Sequence, residues 1–211
     1  MSSADDGKAA LADQDQADPA QGSIAPADQV EASPADRDHS ALIVLVGAAG
    51  SGKSTYARRH YRAIQVYSLD TLRAVASDDE CDQDATADAV ALMLTIVDMR
   101  LSRRLTTVVD ATNGVPEERA HLIAIATRHA VPAVAVVLDT DLQVCLARQD
   151  ERPGPKLGQR WGRAVPASVV QNQHARMRAS IATLRAEGFA QVHLLSGPAR
   201  ADQLRGSGEH R

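Results

Sequence analysis

A six-residue apolar run, Ala41–Val46, opens directly onto Gly47-Ala48-Ala49-Gly50-Ser51-Gly52-Lys53-Ser54-Thr55. No other stretch restricts the possible folds of this chain as strongly. An uninterrupted apolar run of that length reads as a strand buried on both faces. The nine residues after it fit the spacing Gly-x4-Gly-Lys-Ser/Thr, which carries meaning only when a strand enters and a helix leaves. Glycines at 47, 50 and 52 let the backbone turn its N–H groups inward around phosphate oxygens. A helix starting near Lys53 adds the positive end of its dipole. The expectation is a nucleotide-binding loop made of Gly47, Ala48, Ala49, Gly50, Ser51, Gly52, Lys53, Ser54 and Thr55. Lys53 would reach the β- and γ-phosphate oxygens of ATP, and the Ser54 hydroxyl would ligate Mg2+. The competing reading is a glycine-rich turn that happens to match.

The rest of the chain alternates in period. Strands are expected at Ile64–Ser68, Thr106–Val109, Ala133–Leu138 and Ala190–Leu195. Helices are expected over Lys53–His60, in a short turn from Asp70, and over Asp84–Arg104, with Ala85, Ala89, Leu92, Ile96 and Met99 on one side. Further helices follow from Pro116 to about Ala130, over Leu142–Asp150, and over Pro166–Glu187, the last stopped by Gly188. Strands alternating with helices predict an α/β fold: a mainly parallel sheet of about five strands with helices on both faces. Residues 41–198 are expected to form one domain. Residues 1–40 hold nine acids against Lys8 and Arg37 and almost no large apolar side chains, so they are read as a disordered acidic tail. Residues 199–211 read as a flexible C-terminal tail. The net charge of −4 therefore hides a mildly basic remainder, because the first forty residues carry −7 of it.

Composition removes several classes. Two cysteines, Cys81 and Cys145, make no disulfide framework and no Cys-x-x-Cys metal motif. No apolar run approaches the roughly 20 residues of a membrane span, and the N-terminus lacks the basic-then-apolar order of a secretory signal. A cytoplasmic location is the expectation. Aromatic residues make up 2% of the chain, too few for base-stacking platforms.

A phosphate loop does not choose among switch, motor and kinase. A kinase needs a base for the acceptor hydroxyl and mobile cations over the transferring group. Ser68-Leu69-Asp70-Thr71-Leu72-Arg73 follows the second strand. Asp70 is placed to accept a hydroxyl proton, and Arg73 to hold an anionic group of the acceptor; the alternative is Asp70 as a helix cap. Asp110 ends a β-branched strand, where an acid can hold Mg2+ or its water, or cap the next turn. Arg148 and Arg152 share a helix face leading into the Gly/Pro/Arg-rich segment Glu151–Val165. That segment reads as a basic lid whose guanidiniums neutralise charge on the phosphoryl oxygens. Asn113-Gly114 is first a turn. The histidines lack metal-ligand spacing, Trp161 fits a hydrophobic seam as well as an adenine, and Asp78, Asp79, Glu80 and Asp82 read as solvated.

The blocks Gly47–Thr55, Ser68–Arg73, Asp78–Thr86, Val108–Asn113, the Arg148/Arg152 pair and Leu184–Phe189 together resemble the kinase module of bacterial RNA-repair polynucleotide kinase–phosphatases. The resemblance runs in order over about residues 42–196. It implies a P-loop kinase that uses ATP and a divalent metal to phosphorylate a 5′-hydroxyl of RNA or DNA. Lys53 and Ser54 would handle ATP and Mg2+, Asp70 would be the general base, Arg73 would hold the acceptor's 3′-phosphate, and Arg148 and Arg152 would be lid arginines. Two alternatives stand beside it. One is a kinase for a small metabolite such as a sugar or nucleotide, which the modest basicity of residues 41–211 allows. The other is an ATP-binding regulatory protein with little transfer activity.

Overall fold

The computed structural model describes residues 40–154 and 162–196. Segments 1–39, 155–161 and 197–211 lie outside them, and with them most of the expected acidic tail, the centre of the expected lid and the C-terminal tail. Five strands lie in one all-parallel sheet: β1 (Leu42–Val46), β2 (Val66–Ser68), β3 (Thr107–Asp110), β4 (Ala133–Asp139) and β5 (Gln191–Ser196). Their order is β2-β3-β1-β4-β5. Among the described residues six α-helices connect them: α1 (Lys53–His60), α2 (Leu69–Ser77), α3 (Thr86–Ser102), α4 (Pro116–Arg128), α5 (Leu142–Asp150) and α6 (Ala167–Ser180).

β1 is central because every one of its residues is apolar and can be covered on both faces. It is hydrogen-bonded by β3 on one side and β4 on the other, and all five side chains are fully buried. Leu42, Val44 and Val46 pack with Met93, Val97 and Leu101 of α3, with Leu122 and Ile125 of α4, and with Leu184 and Phe189. Ile43 and Leu45 point the other way, with Val108, Val134, Val136 and Leu138, against Ala57 of α1 and the partly buried Tyr56 and Tyr61. Each such side chain removed from water stabilises the fold by roughly 1.5–3 kcal/mol. β2 and β5, at the two edges, are only partly covered.

Three expectations shift. The second strand begins at Val66 rather than Ile64, because Ala63–Gln65 closes a 3-10 turn in which Gln65 both donates to the Arg62 carbonyl and accepts from its amide. On α3 the buried ridge is Ala89, Met93, Val97 and Leu101, four apart, so the apolar face is rotated and Met99 is exposed. The last helix ends at Ser180, seven residues early. There the Ser180 hydroxyl donates to the Met177 carbonyl and the Thr183 hydroxyl to the Ser180 carbonyl, competing with the backbone for helical acceptors. The chain continues in i→i+3 turns to Gly188 (φ 113), which places Leu184 in the core.

Candidate active site

The site lies where the carboxyl ends of β1, β2 and β3 meet, the edge at which open parallel sheets bind ligands. In the register Leu45 and Ser68 flank Asp110. The phosphate loop leaves β1 one residue later, and Asp70 stands two residues beyond Ser68 on the first turn of α2. α2 is entered by Ser68 at its N-cap, so Asp70 is not the cap.

The loop needs its glycines. Gly50 (φ 84) and Gly52 (φ 99) occupy left-handed backbone, and a Cβ on Gly50 would lie 2.5 Å from the carbonyl oxygen of Cys145 on α5. The amides of Gly50, Gly52, Lys53 and Ser54 have no acceptor among the described residues, and the buried Ser51 Oγ has no partner. Together with the N-terminus of α1 these donors form a cradle suited to phosphate. Ala49 differs: its amide donates to Oε1 of Gln173 on α6 at 2.9 Å. Ala48 is buried against Cys145 and Val170, and Thr55 is exposed on α1.

Lys53 is buried, its Nζ donating to the carbonyls of Gly47 and Ala48 at 2.9 Å each. Burial pushes its pKa down, opposed by the charges of Asp110 and Asp70 and reinforced by Arg152. Arg148 Nη1 donates to the Gly50 carbonyl at 2.9 Å, laying its guanidinium along the loop. Asp110 is buried, which raises its pKa, while a hydrogen bond from Ser54 and the charge of Lys53 lower it. A hydroxyl and a carboxylate, both oxygen donors, are what a hard divalent cation takes when phosphates and waters complete its shell. Ser54 and Asp110 therefore fit Mg2+. Among the described residues there is no group of three His, Cys, Asp or Glu side chains able to hold a metal unaided.

Arg73, expected to hold an anionic group of the acceptor, stands beside Asp70. It is buried; Nη1 bonds Asp70 Oδ1 at 2.6 Å and Nε bonds Thr86 Oγ1 at 3.0 Å. One donor holds the carboxylate while the other anchors the guanidinium on Thr86; the Asp70 side chain is 59% exposed and faces solvent for an acceptor. Glu80, read as solvated, pairs at 3.0 Å with Arg163, joining the α2–α3 loop to the end of the lid segment. Lys156, Arg160 and Trp161 lie outside the described residues.

Several residues that hold the site carry no local signal in the sequence. α6 contacts the loop twice, through Gln173 and through a chain in which His174 Nε2 lies 3.1 Å from the Thr140 carbonyl and the Thr140 hydroxyl donates to the Ser51 carbonyl. Asn113, a turn residue with φ 45, donates from its amide to the Leu45 carbonyl at 2.7 Å, fixing the end of β1. Its own carbonyl accepts from Arg119, which is fully buried and bonds Glu187 at 2.7 Å through both Nε and Nη2. Glu187 was visible only as part of a block that resembled a family.

The sequence profile of the AAA domain family matches residues 42–184, more than half of the chain. The chain belongs to the AAA domain family. This AAA-family domain has the fold of a P-loop kinase, as the resemblance drawn from its sequence implies. One similar solved structure is a chain of the Pnkp1/Rnl/Hen1 RNA repair complex, 21% identical, with 69% of this chain and 46% of that one covered and a TM-score of 0.56. This chain thus spans about half the length of that relative. Kti12 of Chaetomium thermophilum in complex with ADP-AlF3 is also 21% identical, over 76% of this chain and 91% of that one, with a TM-score of 0.55. A chain of the AvrRxo1-ORF1:AvrRxo1-ORF2 complex with sulphate ions is 14% identical, over 78% and 56%, with a TM-score of 0.58. At such identities the likeness is one of fold. No curated protein matches.

Proposed function

We propose that this domain is an ATP-dependent kinase that transfers the γ-phosphoryl group to a hydroxyl, the acceptor being the 5′-hydroxyl end of a polynucleotide. The observation that carries the reading is the buried Lys53 inside a loop of unsatisfied amides, with Arg148 bonded to that loop and Asp70 held by Arg73 at the same sheet edge. The amides and Lys53 bind and orient the phosphates of ATP. Asp70, held by Arg73, takes the acceptor's proton as that oxygen bonds to the γ-phosphorus and the β–γ bridging bond breaks, releasing ADP. Lys53, Arg148 and Arg152 stabilise the charge spread over the transferring oxygens. Mg2+, held by Ser54 and Asp110, would supply further neutralisation of phosphate charge. Similarity to a chain of an RNA repair complex favours the polynucleotide acceptor.

A second reading, a small-metabolite kinase, is favoured by one feature: two donors of Arg73 are already committed to Asp70 and Thr86, which leaves less of it for an anionic acceptor. The test incubates γ-labelled ATP with a 5′-hydroxyl oligonucleotide and, separately, with a panel of sugars and nucleosides. Asp70→Asn should lower transfer by about 10²-fold or more while ATP affinity stays near normal. Wild-type turnover in that variant removes Asp70 from its role. ATP binding with no acceptor-dependent ADP release would leave only a nucleotide-binding regulatory protein.

A further inference from the structure

The first helix carries a feature that nucleotide binding does not use. From Ala41 to Leu69 there is no Asp or Glu, while Lys53, Arg58, Arg59 and Arg62 supply four positive charges. Lys53 and Ala57 face inward and are buried, whereas Ser54, Thr55, Arg58, Arg59 and Arg62 are exposed. Ser54, Thr55, Arg58 and Arg59 follow helical spacing and form one outward stripe on α1, with Arg62 on the extended chain just past the helix end. It begins at the two hydroxyls of the phosphate loop and runs down α1, which is about 12 Å long at 1.5 Å per residue. The Arg58 guanidinium donates to Thr55 Oγ1 at 3.4 Å, which ties the stripe to the end of the phosphate loop. Neither Arg59 nor Arg62 forms an ion pair with a described acid. The helix dipole favours a cation in the last turn, but that effect fades within the turn, and Arg62 lies beyond it.

The aromatic residues of this segment are already placed. Tyr56 stacks on His60 with centroids 4.3 Å apart and meets Tyr61 edge-on at 6.4 Å, and both tyrosines pack against the sheet. The stripe therefore offers guanidiniums without base-stacking rings, which suits a phosphodiester backbone and gives no base preference.

We propose that Arg58, Arg59 and Arg62 form a phosphate-tracking stripe that holds the body of a single-stranded polynucleotide outside the active site, so that long acceptors are preferred to short ones. The proposal deepens the polynucleotide reading and rests on it. The test uses the full chain and fluorescence anisotropy with a 3′-labelled, 5′-hydroxyl 20-nucleotide single-stranded RNA. Arg59→Gln/Arg62→Gln removes two phosphate contacts and no described ion pair. With about 0.7 of salt slope per contact, log K against log salt should become shallower by about 1.4. At ~0.1 M salt this corresponds to about 25-fold weaker binding. The KM for the 20-mer should rise, while transfer to a 5′-hydroxyl dinucleotide and the thermal midpoint stay unchanged. Parental affinity and slope in the double variant overturn the stripe, as does tighter binding of polyglutamate than of RNA. Because anisotropy reads binding without turnover, a chain that holds the 20-mer through these arginines but phosphorylates no 5′-hydroxyl supports the stripe and overturns the acceptor assignment.

Discussion

Glu187→Gln should destabilise this domain strongly at neutral pH and progressively less as the pH falls below 4.5. Arg119 is fully buried, and its charge is answered by one carboxylate that it grips with two 2.7 Å bonds. Glutamine keeps the volume of the side chain but removes the charge and turns one acceptor oxygen into a donor facing the guanidinium. Breaking a buried pair from one side costs about 3–5 kcal/mol. The Glu187 side chain is 15% exposed, so the lower figure, about 3 kcal/mol, applies. For a domain of this size that lowers the midpoint of thermal unfolding by roughly 6–12 °C. Arg119 holds the Glu187 carboxyl below its ordinary pKa of 4.5, with the Thr183 hydroxyl assisting. A depressed folded pKa contributes stability that is fully present above the unfolded value and is lost as pH falls through the folded one. The gap between wild type and Glu187→Gln should therefore be constant above about pH 5.5 and shrink steadily as the pH falls below 4.5. Urea unfolding of both proteins at pH 7 and at pH 3.5 measures it. A gap under about 0.5 kcal/mol at pH 7, within the range of an ordinary surface substitution, or one of equal size at both pH values, refutes the argument.

Two further outcomes follow from the loop. Gly50→Ala forces a Cβ to 2.5 Å from the Cys145 carbonyl at φ 84; it should destabilise by about 1–3 kcal/mol and abolish ATP binding, measured by calorimetry and thermal unfolding. Gln173→Ala leaves the Ala49 amide without its 2.9 Å partner. It should cost about 1–2 kcal/mol of stability that saturating ATP does not restore, and a thermal midpoint equal to wild type would remove Gln173 from the loop's support.

What the chain determined unaided is what depends on near neighbours. The buried β1, the strand–loop–helix order and the positive φ of Gly50 and Gly52 follow from apolar periodicity and from the conformations only glycine adopts cheaply. The alternation of elements then implies a parallel sheet, and the five strands lie where the pattern puts them to within a few residues. Boundaries moved where side-chain hydroxyls competed for the backbone, as at Ser180.

Packing alone decided the partners. Ala49 and Gln173 are 124 residues apart, and Arg119 and Glu187 are 68 apart; no local pattern encodes such pairs, because they exist only once α6 and the turns after it have docked. The same holds for Arg73. Three residues from Asp70 on a helix, it can reach outward to an acceptor or inward to a carboxylate. Burial beside Thr86 chose the inward position, since a guanidinium taken out of water must spend its donors on the acceptors that surround it.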